Sequence, residues 1–363
     1  MTTRQRLDLL ARAHPRLFPR TELLRLLRAH LGDADALDRW ISRGNGRTRV
    51  RARAPKLIYH ICAGNLAVSA WTSLAHGLLL GAKNVMKLPG DRGEDFTARR
   101  EILGFIRGLP APLRKLVETH RVLDRDLLHR ADAIVAFGSD AAMGSLRVGT
   151  RWDQKFIAHG PALSLLWLSD PNRLTSRQAR ACAVDILTYD QLGCLSPQAV
   201  YVPHGTDFDG LGRKLTHALE THWRELKQKP ARPLSVRARI AEARDLAHAL
   251  GHRVWLPPKN HLGWTLIHNP DPAFRPSPLH GVITLREAGE SQLGAALASV
   301  AGRISTVGVA GQISSRLENV FLSLGVSRFC AAGRMQFPPL TWHHDGRPSL
   351  GDLVTWVDSE NLE

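Results

Sequence analysis

A cysteine set in a turn is the residue of this sequence best placed for covalent chemistry. In YDQLGCLSPQAVYV, Tyr189 to Val202, Cys194 follows the small Gly193, precedes Ser196 and Pro197, and leads into a β-branched strand. Small neighbours leave space above the sulfur, and a turn entering a strand directs backbone N–H groups toward a carbonyl under attack. That combination suits a nucleophilic thiol with an oxyanion pocket. The other three cysteines are assigned to packing: Cys62 lies in an apolar strand, Cys182 in the helical run SRQARACAVDIL, and Cys330 is taken as another small hydrophobe. Their irregular spacing, with no CxxC pair, forms no disulfide framework and no cysteine metal site, and fits a reducing cytoplasm.

Other residues able to serve such a thiol close strands in the first half of the chain. Gly64 and Asn65 end one strand and open a helix, so the Asn65 amide is a candidate oxyanion donor, or else a helix cap. Lys87 ends the next strand, in VMKLPG. Gly138 and Ser139 end a third, in AFGSD, where a tight turn at a helix start exposes N–H groups to a phosphate. A strict GxGxxG fingerprint is absent.

The elements that position these residues alternate. LIYHICAG, KNVMKLP and ADAIVAFGS are apolar strands separated by the helices LAVSAWTSLAHGLLLGA and DFTARREILGFIRGL, and KFIAHGPALSLLWL is expected to be a pair of strands around a turn. Buried strands alternating with helices predict parallel βαβ units, with the ligand beyond the carboxyl ends of the strands. From about residue 170 a second α/β series begins, with the Cys194 turn near its start, basic helices over about 208–228 and 234–250, and the strands RVWLP, GWTLIH, GVITLRE and RISTVGVA. The organisation predicted is a helical and basic segment over 1–56, a dinucleotide-binding domain over 57–168, a catalytic domain over 169–330, and a C-terminal segment over 331–363. The predicted fold class is α/β with two α/β domains and an inter-domain active-site crevice.

The balance of 49 Lys plus Arg against 33 Asp plus Glu, a net +16, predicts an anionic partner. Its densest run, residues 43–56, alternates Arg with Val and Ala like an edge strand and has no interleaved aromatics, so a solvated face or anion-attracting rim is expected and a nucleic-acid grip is not. The N-terminus has no apolar leader core, and no stretch approaches the roughly 18 apolar residues of a membrane span. A soluble cytoplasmic protein is the expectation.

In order and spacing, the Asn loop, the strand-ending Lys, the Gly-Ser turn and the cysteine before its strand resemble the aldehyde dehydrogenase superfamily. More specifically, HICAGN, KNVMKLP, ADAIVAFGSD, DQLGCLSPQAVYV and MQFPPLTWHHDGRPSLGDLVTWVD resemble the LuxC-type acyl-CoA reductases. The resemblance implies reduction of a fatty acyl-CoA, or of an acyl carrier protein thioester, to an aldehyde through an acyl-enzyme on Cys194, with Asn65 as oxyanion donor. It implies that Lys87 holds the adenosine ribose, that Gly138 and Ser139 hold the pyrophosphate, and that His159, before Gly160, is a proton donor or thiolate partner. NADPH is expected, with NADH an option, because the position three residues after Lys87 is Gly90 rather than a carboxylate, and Arg92 follows as a 2′-phosphate partner. The glutamate base of aldehyde-oxidising members is replaced by Ala158 and His159, which favours reduction over hydrolysis. No metal is called for. Association with further copies of the chain stays open, as do an acyl-phosphate substrate and a nucleic-acid-binding role in which Cys194 is inert.

Overall fold

The computed structural model describes residues 1–43, 48–90 and 93–360, giving the backbone alone for 93–96. It divides into two compact units, Met1–Pro161 with Pro339–Glu363, and Ala162–Pro338.

The first unit opens with helices α1 (Thr3–Ala13) and α2 (Arg20–Leu31). Strands β1 (Ile41–Arg43) and β2 (Thr48–Arg53) form an antiparallel sheet completed by β15 (Thr355–Glu360), with β2 in the middle. The basic run is therefore not an edge strand. Val50 and Ala52 are buried while Arg49, Arg51 and Arg53 are exposed, and the second ladder comes from a C-terminal segment some 300 residues away, with Thr355 opposite Arg53. Residues 44–47 of that run lie outside the described residues.

The rest of this unit is a parallel sheet in the order β5-β4-β3-β6-β7, built from β3 (Leu57–Ile61), β4 (Lys83–Lys87), β5 (Val117–His120), β6 (Ala133–Phe137) and β7 (Lys155–His159). Between them run α3 (Ala67–Leu80), α4 (Gly93–Gly108), α5 (Ala111–Arg114), α6 (Arg125–Arg130) and α7 (Asp140–Val148). The chain grows outward from β3 to β5 and then returns to the far side of β3 for β6 and β7. A switch of this kind leaves a crevice at the carboxyl ends of β3 and β6. The α1 helix belongs here too: the buried Arg6 donates from Nε to the Leu79 carbonyl at 2.8 Å, satisfying an orphan carbonyl at the end of α3.

Beneath the sheet's helix layer lies a buried polar group of three. His60 Nδ1 is 2.7 Å from Ser73 Oγ and its Nε2 is 3.0 Å from Asn84 Oδ1, while Asn84 Nδ2 donates to the Ala82 carbonyl at 2.8 Å. Gly77 of α3 permits this, since a Cβ there would come within 1.8 Å of Asn84 Oδ1.

The second unit carries a sheet in the order β10-β11-β12-β9-β8-β13-β14: β8 (Leu163–Leu168), β9 (Pro197–Val202), β10 (Arg253–Trp255), β11 (Thr265–His268), β12 (Val282–Glu287), β13 (Ile304–Ala310) and β14 (Arg328–Ala331). All neighbours are parallel except β10 with β11. Helices α8 (Ser176–Leu187), α9 (Phe208–Glu225), α10 (Leu234–Ala249), α11 (Glu290–Ala296) and α12 (Ser315–Ser323) connect the strands. The strands of KFIAHGPALSLLWL are not a hairpin: β7 ends the first unit's sheet, whereas β8 pairs with β9 and β13. The two units divide at 161/162; residues 1–56 belong to the first, and the last segment is split, with 331–338 in the second unit and 339–363 in the first. Among the described residues no helix is long and apolar enough to cross a membrane.

Burial holds His60 down to about 4 and His76 to about 3, so both are neutral in the folded chain at pH 7. The unfolded chain takes up their protons near the ordinary pKa of about 6.5, so their contribution is complete above that value and is lost as pH falls toward 4. For His60 alone this is worth up to about 3 kcal/mol. Denaturant midpoints should therefore fall between about pH 7 and about pH 4.5, and His60→Gln should flatten that fall. The same slope in the variant would show that His60 does not carry it.

Candidate active site

The residues singled out in the first half meet at one edge of the first unit's parallel sheet. Ile61 lies opposite Lys87 on one side and Ala136 on the other, and Phe137 lies opposite His159. The chain leaving β3 reaches Asn65, that leaving β6 reaches Gly138 and Ser139, and Lys87 and His159 are the last residues of β4 and β7. Backbone bonds tie these ends together: Cys62 N donates to Lys87 O at 3.0 Å, and Gly138 N to His159 O at 3.2 Å. All five positions thus stand at the carboxyl ends of strands flanking the β3/β6 switch, where open α/β sheets bind ligands.

Local structure separates their roles. The N-cap position of α3 is Leu66, without a side-chain cap bond of its own, and Asn65 sits exposed one residue ahead of it. Ser139 is the N-cap of α7 and its Oγ accepts from Ala142 N at 3.3 Å. Gly138 fits closely, since a Cβ there would lie 3.2 Å from Met143 Cε and 3.5 Å from Ala142 Cβ. Gly90 is exposed beyond the end of β4, and Arg92 lies outside the described residues.

His159 is 6% exposed, and its ring packs against Phe137, at 4.6 Å, and His344, at 4.2 Å, which lie 6.2 Å from each other. Its Nδ1 lies 2.8 Å from Asp345 Oδ2.

Cys194 occupies the second unit, in the turn that feeds the amino end of β9. The cysteine thus precedes its strand, as its place in the sequence before Pro197–Val202 predicts. The turn is gripped at both ends. The buried Gln191 donates from Nε2 to Pro197 O at 2.8 Å and Val282 O at 3.2 Å, and its Oε1 accepts from Gly281 N at 2.9 Å. Ser164 Oγ donates to the Cys194 carbonyl at 2.7 Å, and Gln336 Nε2 donates to Ser196 Oγ at 2.8 Å. Ahead of it, Tyr189, Asp190 and Gln191 all take left-handed backbone, φ 57°, 52° and 63°, and another such run is formed by Leu279, His280 and Gly281, at 68°, 56° and 80°. Asp190 joins them, 2.5 Å from His280 Nδ1 and 2.6 Å from Arg232 Nη2. Consecutive left-handed residues other than glycine persist only where surrounding bonds over-determine them, and such strain gathers at functional turns.

The other thiols are held protonated. Burial pushes Cys62 up to about 12 against the opposing charge of Lys87, and Cys330 up to about 11 against Arg328, while buried Cys182 is pushed higher still by burial and by Asp185. The sequence reading missed Gln191, Ser164, Asp190 and Asp345. For Asp345 a signal existed, since Asp345-Gly346 is a hairpin dipeptide. The left-handed run at 189–191 had none, because its residues carry no glycine.

The architecture is that of aldehyde dehydrogenases. Lactaldehyde dehydrogenase from Escherichia coli superposes with a TM-score of 0.68 over 100% of this chain and 87% of its own, at 14% identity. The P. syringae indole-3-acetaldehyde dehydrogenase AldA, a mutant form in complex with NAD+ and IAA, gives 0.70 over 99% and 84%, at 12% identity. Within that fold, residues 2–356 match the model of the acyl-CoA reductase (LuxC) family, and the chain belongs to it. Among curated relatives, the long-chain acyl-protein thioester reductase of Vibrio harveyi is 23% identical over 95% of this chain and 72% of its own length. That of Aliivibrio fischeri is 27% identical over 51% of this chain, a match spanning only 39% of the relative.

Iodoacetamide near neutral pH is expected to label Cys194 first in the native protein and to leave Cys62, Cys182 and Cys330 intact until it unfolds, because alkylation needs the thiolate. Peptide mapping reads this directly, and early labelling of Cys62 or Cys330 would contradict it. Gln191→Leu, which removes the Gln191 hydrogen bonds at similar volume, should lower stability by about 2 kcal/mol or more.

Proposed function

We propose that this chain is a cytoplasmic reductase that converts a long-chain acyl thioester to the aldehyde through an acyl-enzyme on Cys194. The Cys194 thiolate attacks the thioester carbonyl, the Asn65 amide stabilises the oxyanion, and the donor's thiol departs with a proton from His159. A nicotinamide dinucleotide, when bound, supplies the hydride that turns the acyl group into an aldehyde. Lys87 is the candidate for its ribose. The turn at Gly138 and Ser139 suits its pyrophosphate, because the absence of a side chain at Gly138 keeps the first turn of α7 open and the N–H groups of Asp140 and Ala141 precede the one that Ser139 caps. The observation that carries this reading is the gathering of Asn65, Lys87, Gly138, Ser139 and His159 at the carboxyl ends of one parallel sheet in a chain of the LuxC family.

The donor is read as acyl-CoA or an acyl-protein thioester, from the family's description and the names of the curated relatives. Both are anionic partners for a chain of net charge +16, for which exposed Arg49, Arg51 and Arg53 offer one basic stripe. NADPH is favoured over NADH at Gly90 and Arg92.

Intact-mass measurement after mixing with long-chain acyl-CoA, without nucleotide, should give a single acyl adduct that Cys194→Ala abolishes. An adduct that persists in that variant would overturn the assignment. Asn65→Ala should lower turnover by roughly 100-fold, the usual scale for one lost oxyanion donor, with dinucleotide affinity unchanged; unaltered turnover would remove it from the reaction. Salt from about 50 to 500 mM should depress kcat/KM by screening the donor's approach, whereas a salt-independent reaction in a protein that grips duplex DNA would assign the charge to nucleic acid.

A further inference from the structure

We propose that Asp345 is the positioning residue that gives His159 its working tautomer, so that an Asp-Gly hairpin near the C-terminus forms part of the proton-transfer apparatus. This rests on the reading of His159 as the proton donor. The carboxylate at 2.8 Å from Nδ1 accepts only, so Nδ1 carries the hydrogen and Nε2 is the nitrogen left to exchange a proton.

Each partner is held by something other than the bond between them. The His159 carbonyl is anchored to Gly138 N, and the ring lies at 12° to Phe137 and 27° to His344, which itself stacks on Trp342 at 4.6 Å. Ring contacts on two sides, from Phe137 and His344, restrict its rotation. Asp345 sits in a two-residue turn bridged by His344 and Arg347, with φ 52° at Asp345 and 75° at Gly346, the pair of positive values that a type I′ hairpin requires. Arg347 Nε holds Asp352 Oδ2 at 2.8 Å, which steadies the far side of the turn.

The surrounding charges favour the same arrangement. Burial works to raise the Asp345 carboxyl, yet the hydrogen bond from His159, the charges that His344 and His159 carry in the acid range where a carboxyl titrates, and Arg347 hold it below the ordinary carboxylate range, so it is anionic at neutral pH. Burial and the neighbouring His159 lower His344 to about 4, so it stacks on His159 uncharged. The remaining titratable neighbours are His76, which feels both His159 and His344, and Asp140, whose Oδ1 lies 3.5 Å from the position of a Cβ on Gly160. His159, His344 and Asp345 are also close enough to suggest a metal site. In this structure, however, His159 Nδ1 and Asp345 Oδ2 face one another at hydrogen-bond distance.

The protons and electrons balance as follows. The Cys194 thiolate forms a C–S bond as the donor's C–S bond breaks, and the departing thiolate takes the Nε2 proton of the His159 imidazolium. Hydride from the reduced nicotinamide dinucleotide forms the new C–H bond, the aldehyde leaves as the Cys194 C–S bond breaks, and His159 recovers a proton from solvent. One acyl thioester, one reduced dinucleotide and one proton give one aldehyde, one thiol and one oxidised dinucleotide.

Asp345→Asn tests the inference against Asp345→Glu and His159→Asn. Thiol release from long-chain acyl-CoA, followed in single turnover from about pH 6 to 10, should slow by about 100-fold in Asp345→Asn, the lower range of general acid–base contributions. Melting temperature and NADPH affinity should not change, and Asp345→Glu should recover part of the rate. Nitrogen-15 NMR of labelled histidine gives a readout independent of turnover: His159 should carry its proton on Nδ1 in the parent protein and lose that preference in Asp345→Asn. An unchanged rate of thiol release together with an unchanged His159 tautomer would overturn the inference. Failure of the underlying reading differs in kind, appearing as full thiol release from His159→Asn, or as none from the parent protein while the NMR result stands.

Discussion

Everything proposed for the first unit depends on the parallel pairing of β3 with β4 on one side and β6 on the other. Because all three strands run the same way, their last residues fall at one edge, and the register of Ile61 with Lys87 and Ala136 decides which side chains share it. A slip of one residue would turn each strand's side chains to the opposite face, so the register is also what brings Lys87 and His159 to that edge. The buried trio of His60, Ser73 and Asn84 links β3, α3 and β4 from below. Its hydrogen bonds are satisfied only in this register, which makes it a specifying network as well as a stabilising one.

The second unit solves a different problem. The nucleophile proposed at Cys194 needs an open face and a rigid backbone together, and a loop supplies only the first. Around Cys194 rigidity comes from outside the loop: Gln191 spans the turn from its start to Pro197, Ser164 holds the cysteine's carbonyl, and Gln336 holds Ser196. Asp185 extends the last of these supports, accepting from Gly333 N at 2.5 Å and Met335 N at 3.0 Å, with burial pushing its carboxyl up to about 7 despite those N–H groups. Two left-handed runs locked by Asp190 and His280 complete the grip.

Much of this was legible in the residue order. Strands β3, β4, β6, β12 and β13 are apolar runs bounded by turn residues, and helix α9 carries clear periodicity, so the parallel α/β class followed from pattern alone. What escaped depended on distant partners. Residues 155–168 look like a hairpin because so short a turn, Gly160 to Ala162, separates the strands, and nothing local says that β8 pairs with the far later β13. The alternation in residues 48–53 marks one buried face correctly but is silent on whether one or two strands flank it. Asp345 lies 186 residues from His159, so the Asp-Gly turn announced its conformation without announcing the ring it meets. Motif order, by contrast, was enough to put Cys194, Asn65, Lys87, Gly138 and Ser139 at strand ends and turns, which is where the structure has them.

The central claim is that an acyl group resting on Cys194 is reduced rather than hydrolysed. Its most direct test isolates that step: enzyme acylated with long-chain acyl-CoA, freed of excess donor and mixed with NADPH in a stopped-flow instrument, with the absorbance of the reduced nicotinamide and the aldehyde both recorded. The account predicts one equivalent each of NADPH oxidised and aldehyde released per acylated Cys194, with no fatty acid formed. Fatty acid as the product, or an acyl-enzyme unchanged by NADPH and NADH alike, would contradict it.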